Sequence, residues 1–400
     1  MYKIMNKKLS GLKEDLASFT HNLVDITLER GKEDKFVSLV YEQMKQLGFD
    51  QVTKDRVGNI VGIIHGYEPG PGLMLVSHRE YGDSQSRKST NLISFKAGIV
   101  SSLYAAGLVK RSLLPLGGDL LVCCVPREEC CDFGIKYLFE NQLKKKIKKL
   151  KGIILSEPTN FNLNLGHRGR IEYEIIVKGR LGYEFLEHRG INILGAMFPL
   201  INELEKVSHT MPTDYSLGTS SLKIKDVRYL GATSLEKQKE FRVVVDRMFV
   251  PEENIEGVLK KAKTIAKNIY KADSEIRVNT ALARTSVKPM SGAQIVTEKK
   301  FKAWKMESNE PLVLESQEVL RDNHINSSLG YWKKIVTEGS YTFGEYKIPT
   351  IGFGAGSEDI IGTGQEVLSL KDIEKAVLGQ ALIVQRSIGM PAFGWREDEI

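Results

Sequence analysis

Apolar and polar residues follow two distinct patterns along the chain. Before about residue 170 and after about residue 290, short apolar runs of strand length alternate with segments that have helical spacing. Strands alternating with helices in this way indicate a layered α/β domain. The predicted strands are 59–66, 72–77, 119–126, 152–158 and 349–354, and the predicted helices are two within 13–52, then 97–114, 132–143, 310–324 and 369–388.

A different pattern fills the middle of the chain. Three segments alternate with the period of half-buried strands, and two have the period of amphipathic helices. A further strand follows these five segments. The resulting order is strand, helix, strand, strand, helix, strand, as in a ferredoxin-like α+β unit. The strand segments are 170–179, 220–230 and 239–250, and the helical segments are 192–207 and 253–272.

We therefore predict an inserted-domain architecture. Residues 1–170 and 290–400 form one discontinuous α/β domain, and residues 171–289 form the smaller domain inserted into it. A chain of 400 residues is long for a single hydrophobic core, which agrees with two domains.

Composition and charge exclude several classes of protein. The formal net charge of +7 is modest, and much of it comes from the lysine-rich stretch 143–151, which is typical of a solvated surface turn. No aromatic-interleaved basic motif accompanies that stretch, so nucleic-acid binding is not expected. No apolar run reaches the roughly 18 residues needed to span a membrane, and the N-terminus lacks a signal-peptide pattern. We expect a cytoplasmic protein with no membrane association.

The cysteines form two adjacent pairs, Cys123–Cys124 and Cys130–Cys131. Because neighbouring residues on a strand point to opposite faces, a disulfide network is not expected, and reduced buried thiols are the simplest interpretation.

Four strand-like runs end in a group suited to metal binding or acid–base chemistry. These groups are His78 with Glu80, the pair Glu128–Glu129, Glu157, and the glycine-rich segment around Glu358. In an open α/β sheet, ligands gather at the carboxyl ends of the strands. Each signal is weak by itself, and their order along the chain carries the information.

That order resembles the co-catalytic zinc metallopeptidases and deacylases, a family that includes acetylornithine deacetylase, succinyl-diaminopimelate desuccinylase, aminoacylase and glutamate carboxypeptidase. The resemblance rests on "SHRE", "FKAG", "REECCDFG", "SEPTN", "GHRGR", "GATS" and "IPTIGFGAGSE". The stretch beginning "SEPTNFNLNLGHRGR" is most similar to the branch described as selenium-metabolism hydrolases. The family fold implied is a zinc-binding α/β domain with an inserted lid domain that usually dimerises.

The resemblance also implies roles for the residues of this chain that match the family's site residues. His78 and Glu157 match ligands of the first zinc, Glu129 matches a ligand of the second zinc, and Glu128 matches the general base. Glu80 stands where the family has an aspartate that orients the histidine, and its extra methylene displaces the carboxylate.

Other family positions are substituted. Ser94 replaces the aspartate that bridges both zincs, and Gly362 occupies the position of the closing histidine. No histidine follows His324 in the sequence, so a histidine ligand at a position shifted from 362 is excluded. In the lid, Tyr183 and Glu236 stand where the family has a histidine and an asparagine.

Two interpretations of the altered site remain open at this stage. The favoured one is a catalytically silent or impaired homologue, with one weak zinc site at most, that binds a small molecule or partners an active paralogue. The alternative is an active metal-dependent hydrolase of an amide bond in an N-acyl or N-carbamoyl amino acid or small peptide. A thiolate from Cys130 or Cys131 is a further source of a zinc ligand.

Family likeness implies a homodimer formed through the lid, and the interpretation as a silent homologue adds a heteromer with an active paralogue as the alternative. Arg79, Arg127, Arg168 and Arg170 suggest either that a carboxylate-bearing molecule binds or that these arginines pair with the leftover acids; the sequence slightly favours pairing.

Overall fold

A computed structural model of the chain describes residues 2–28, 33–80, 93–127, 131–180, 193–230, 238–272, 276–289, 292, 294–363 and 365–390. The described residues divide into two compact units. The first contains Met1–His167, Ser286–Ile295 and Trp304–Ile400, and the second contains Arg168–Thr285 and Val296–Ala303.

These bounds differ from the predicted inserted segment at its C-terminal end. Residues 286–289 belong to the first unit, whereas Val296–Ala303 returns to the second. The return has a structural reason, since a short strand at Lys300–Phe301 pairs with the long strand Gly169–Arg180 and extends its sheet.

The helices follow the helical segments predicted from the sequence, with two additions, one at the N-terminus and the four-residue helix Gly339–Thr342. Tyr2–Ser10 forms a helix that buries Met5 and Leu9. The predicted helix 132–143 becomes a short α-helix followed by a π-helical turn at Leu138–Gln142. The helices are α1 (Tyr2–Ser10), α2 (Lys13–Val24), α3 (Asp34–Gln46), α4 (Ile93–Arg111), α5 (Phe133–Tyr137), α6 (Ile193–Ser208), α7 (Ile255–Ile269), α8 (Pro311–Asp322), α9 (Gly339–Thr342) and α10 (Leu370–Ile388).

The strands include all the predicted apolar runs. They are β1 (Gln51–Lys54), β2 (Ile60–Ile64), β3 (Gly72–Glu80), β4 (Leu120–Arg127), β5 (Leu150–Leu155), β6 (Leu163–His167), β7 (Gly169–Arg180), β8 (Thr213–Asp214), β9 (Gly218–Thr219), β10 (Ser221–Leu230), β11 (Gln238–Phe249), β12 (Arg277–Leu282), β13 (Arg284–Val287), β14 (Ile295–Glu298), β15 (Lys300–Phe301), β16 (Trp304–Lys305), β17 (Leu329–Trp332) and β18 (Thr350–Gly352).

The described strands of the first unit form a nine-stranded mixed sheet in the order β1-β2-β4-β3-β5-β18-β6-β16, with β17 also paired to β6. Its centre is parallel, because β3 pairs in parallel with both β4 and β5, and β5 pairs in parallel with β18. Strand β3 is buried along nearly its whole length, which explains its continuous apolar sequence. The parallel strands therefore end together at one edge of the sheet.

Two glycines let neighbouring elements approach the end of β5 closely. A Cβ atom on Gly98 of α4 would lie 1.9 Å from the carbonyl oxygen of Ser156, and one on Gly354 would lie 2.5 Å from that of Glu157. Only glycine permits this packing, so α4 and the segment after β18 fix the position of the residues that follow β5.

The described strands of the second unit include a five-stranded sheet in the order β10-β11-β7-β12, with β15 also paired to β7. The order of the four main strands and the positions of α6 and α7 between them match the ferredoxin-like arrangement expected from the sequence. Alternate residues of β7, such as Ile171, Tyr173 and Ile175, are buried in a core that also contains Leu204 of α6 and Val258 of α7.

Within the described residues, no helix has both the length and the apolar character required to cross a membrane.

Candidate metal centre

Three of the site side chains come from the carboxyl ends of adjacent parallel strands. His78 lies near the end of β3, Arg127 is the last residue of β4, and Glu157 follows β5 by two residues. Residues His78 and Val125 are partners in the β3–β4 register, so the strand ends are level with each other. The topology of the sheet therefore brings together groups that are far apart in the sequence.

His78 is the centre of a buried cluster. Its Nδ1 atom lies 2.6 Å from Oε1 of Glu157 and 3.5 Å from Oε1 of Glu338. One donor atom from each of these three residues lies within 4.8 Å of the other two, and all three residues are buried. An imidazole nitrogen with two carboxylate oxygens is a donor set that suits zinc, manganese or iron.

The second ring nitrogen of His78, Nε2, also lies near a carboxylate. Oε2 of Glu80 lies 3.4 Å from Nε2 of His78, and the ring of Phe95 packs against the imidazole with centroids 4.4 Å apart. Histidine ligands of metals usually hold their second nitrogen against a carboxylate in this way. Although its side chain is longer than that of an aspartate, Glu80 therefore still reaches His78, the residue that it is predicted to orient.

The carboxylates of the cluster have unused hydrogen-bonding capacity. Both oxygens of Glu338 and Oε2 of Glu157 are buried, and none of the three forms a hydrogen bond with another described residue. Two positive groups balance the charge of Glu338: Nδ1 of His78 lies 3.5 Å from its Oε1, and a guanidinium nitrogen of Arg127 lies 3.8 Å from the same atom. The lone pairs that remain unused on these carboxylates can serve as ligands of a cation.

Without a metal, the cluster balances its own charges. Burial lowers the pKa of His78, but the negative charges of Glu157 and Glu338 outweigh burial and hold it well above its usual range. Burial raises the pKa of Glu338, but the positive charges of His78 and Arg127 lower it to about 2. Burial, reinforced by the charge of Glu338, raises the pKa of Asp132 well above its usual range. A cation that binds here must therefore displace a proton from His78.

The two positions that the resemblance predicts to be substituted, Ser94 and Gly362, carry neither a carboxylate nor an imidazole. Ser94 is fully buried, and in the part of the chain that the structure describes its hydroxyl has no hydrogen-bond partner. Gly362 is exposed with a φ of +71°, and a Cβ atom built there would meet nothing within 4 Å. The described residues thus supply donors for one cation at His78, Glu157 and Glu338, and they do not fit a pair of cations bridged at position 94.

Several predicted site residues lie outside the described residues. These are Glu128, the predicted general base, Glu129, the predicted ligand of a second zinc, Tyr183 and Glu236 of the inserted domain, and Cys130. Their roles stay predictions.

The described thiols are not placed as zinc ligands. Cys131 is buried in a small apolar cluster with Val57, Phe133 and Val287. Cys123 and Cys124 are fully buried on β4, and burial raises the pKa of the Cys124 thiol to about 11. All three are free cysteines, and protonated thiols in such surroundings are poor ligands.

The cleft arginines differ in their partners. Arg127 lies beside Glu338 and donates to the carbonyl oxygen of Val336. Arg170 forms two hydrogen bonds with Asp246. Arg79 and Arg168 donate to carbonyl oxygens, those of Gly58 and Thr219 respectively. Arg127 and Arg170 thus lie against acids, and Arg127 does so within the metal cluster.

Glu338 is the site residue that the sequence analysis missed. It precedes the four-residue helix α9 and does not follow a strand, so the rule that selected the other candidates passed over it. The available signal was weak, namely an acid followed by the small residues Gly339 and Ser340.

Comparisons with known proteins agree with this geometry. The model of "Peptidase family M20/M25/M40" matches residues 94–386. The uncharacterized protein YgeY of Escherichia coli K12 is 25% identical over 382 residues, covering 89% of this chain and 90% of YgeY.

Two solved structures show the same fold. A putative aminohydrolase from methicillin-resistant Staphylococcus aureus has a TM-score of 0.72 at 15% identity, covering 97% of this chain and 100% of that one. The YXEP protein of Bacillus subtilis, a dinuclear metal-binding peptidase of the M20 family, has a TM-score of 0.66 at 11% identity, covering 94% of this chain and 99% of that one. With a family match over most of its length and a histidine–carboxylate cluster at the strand ends, the chain belongs to peptidase family M20/M25/M40.

Proposed function

We propose that this protein is a homologue of the M20 metallopeptidases in which the two-metal site is reduced to a single cation site, leaving two-metal amide hydrolysis silent or severely impaired. The observation that carries the proposal is the fully buried Ser94 at the position of the bridging carboxylate. A hydroxyl cannot give one carboxylate oxygen to each of two cations or offset their repulsion.

His78, Glu157 and Glu338 are the residues that hold the cation in this proposal, and Glu80 keeps the imidazole oriented. A bound divalent ion supplies Lewis acidity and lowers the pKa of bound water. The chain's own contribution is to bury the three donors, to fix the tautomer of His78 through Glu80, and to place the positive charge of Arg127 beside Glu338.

In this proposal the protein binds a small molecule at the strand ends or serves as the partner of an active paralogous subunit. Association of two copies through the inserted domain remains a proposal from family likeness. Sedimentation of the purified chain, alone and mixed with an active M20 homologue, distinguishes self-association from a heteromer.

Metal content and hydrolysis test the proposal together. We expect at most one zinc or manganese ion per chain by elemental analysis, and no turnover of N-acetyl amino acids or dipeptides with added Zn²⁺, Co²⁺ or Mn²⁺. Glu338→Gln should lose the ion, whereas Glu315→Gln, a control at an ion pair with Lys151, should retain it. Two tightly bound ions per chain would contradict the proposal.

The second candidate function is an active single-metal hydrolase, and the observation that favours it is the set of three buried donors around His78. Metal-dependent turnover with one ion per chain, abolished by Glu338→Gln, would establish this alternative and reject catalytic silence.

A further inference from the structure

The second unit contains a cavity that is separate from the metal centre. It has a volume of about 490 Å³ and lies between α6, α7 and the sheet formed by β7, β10 and β11. Its walls are mostly apolar, with Leu204 and Val207 from α6 and Val258 and Ala262 from α7. This volume falls in the range that holds small organic ligands, and the lining favours an apolar ligand body.

The rim of the cavity carries positive charge. Lys260 and Lys261 line the cavity and are exposed, so they lie at its mouth. Among the described residues Lys260 has no acidic partner, and the acid nearest to Lys261 is Glu253, at 4.0 Å. Glu253 is already bound at 2.8 Å by Arg247, so its charge is largely compensated. The mouth is therefore complementary to an anionic group.

A polar group on the sheet side of the cavity lacks a partner. Tyr173 of β7 lines the cavity and is 1% exposed. Within the described part of the chain its hydroxyl takes part in no hydrogen bond, whereas the neighbouring Arg247 is fully engaged by Glu253 and by the carbonyl oxygens of Ser221 and Met248. A tyrosine hydroxyl in the lining of a cavity is a hydrogen-bond donor that a ligand can use.

We propose that this cavity binds an amphipathic carboxylate: a linear or aryl-alkyl monoacid whose apolar body lies between α6 and α7. Its carboxylate pairs with Lys260 and Lys261 at the mouth, and a hydroxyl or carbonyl at its far end accepts a hydrogen bond from Tyr173. The apolar walls favour a ligand with an apolar body, Lys260 and Lys261 favour a negatively charged group, and the Tyr173 hydroxyl favours a hydrogen-bond acceptor at the far end of the ligand.

Direct binding measurements with three matched probes test the proposal in the full-length protein. Octanoate should bind saturably in calorimetry, and 1-octanol should bind about three- to tenfold more weakly because it lacks the charge. 8-Hydroxyoctanoate should bind about three- to tenfold more tightly than octanoate because it engages the Tyr173 hydroxyl.

Two kinds of variant separate the charge from the hydrogen bond. The double variant Lys260→Ala/Lys261→Ala should lose the preference for octanoate over octanol, and Lys267→Ala, on the same helix but outside the cavity lining, should keep it. Tyr173→Phe should bind octanoate normally and lose the preference for 8-hydroxyoctanoate. These substitutions lie at exposed helix positions or remove one hydroxyl, so folding is preserved, which circular dichroism verifies.

The proposal is overturned if no probe binds at millimolar concentration. It is also overturned if octanol equals octanoate in the native protein, or if Tyr173→Phe leaves the preference for the hydroxy acid unchanged. The variants separate this cavity from the metal centre, because Tyr173, Lys260 and Lys261 all belong to the second unit.

Discussion

Replacing Glu338 by glutamine tests the physical account of the metal centre most directly. In the metal-free protein the pKa of Glu338 is lowered from 4.5 to about 2 because the charges of His78 and Arg127 outweigh burial. A shift of this size corresponds to roughly 3 kcal/mol in favour of the ionised form in the folded state. Because the folded pKa is below the unfolded one, this stability is present above pH 4.5 and is lost as the pH falls toward 2.

The neutral amide removes that contribution and leaves Arg127 and His78 with one fewer negative charge nearby. At pH 7 in the presence of a chelator, we therefore expect Glu338→Gln to lower the free energy of unfolding by about 3 kcal/mol, measured by urea denaturation. The control Glu315→Gln, at a partly exposed ion pair, should change it by less than about 1 kcal/mol.

Adding zinc separates electrostatic stabilisation from metal binding. At a free zinc concentration one hundred times Kd, a ligand specific for the folded state stabilises by about 2.7 kcal/mol. We expect this gain in the native protein and in Glu315→Gln, but not in Glu338→Gln, which retains only two of the three donors. Equal zinc stabilisation in Glu338→Gln and the native protein would refute the assignment of Glu338 as a ligand, and equal stability without metal would refute the electrostatic account.

Three further predictions follow from other parts of the structure. Because the pKa of His78 is held well above its usual range, zinc must displace the proton of His78 when it binds. Below that pKa the zinc affinity should therefore rise about tenfold per pH unit, and zinc titrations between pH 6 and 8 that show no pH dependence would contradict this. Burial raises the pKa of Glu172, but Lys225 and Lys299 outweigh burial and lower it to about 2. Glu172→Gln should therefore lower the free energy of unfolding by about 3 kcal/mol at pH 7, and this difference from the native protein should disappear as the pH falls from 4.5 to 2. Gly98→Ala should prevent stable folding of the first unit or lower its Tm by many degrees, because the new Cβ would lie 1.9 Å from the carbonyl oxygen of Ser156; an unchanged melting curve would show that α4 can move away from β5.

The secondary structure and the order of the elements were predictable because they depend on local patterns. The continuous apolar run before His78 could only be a buried strand, and the small-residue segment after Ser94 became the closely packed helix α4. The match of Ser94 and Gly362 to the family's bridging aspartate and closing histidine comes from the resemblance and stays a prediction.

The end of the inserted segment was less predictable. Alternation of polar and apolar residues indicates a strand but does not name its partner. The pairing of Lys300–Phe301 with Gly169–Arg180, which returns Val296–Ala303 to the second unit, depends on a contact between residues far apart in the sequence.

By itself, the sequence determined that the chain has an α/β fold with a ferredoxin-like insertion and that it resembles the M20 peptidases. The loss of the bridging carboxylate at position 94 and of the closing histidine at position 362 stays a prediction. Only the tertiary structure decided which groups surround His78. Glu338 is 181 or more residues away from both Arg127 and Glu157 and follows no strand, yet it joins them in the same buried space. The physical reason is that periodicity reports burial along one element, whereas a metal centre depends on distances between elements, and those are set by packing of the whole unit.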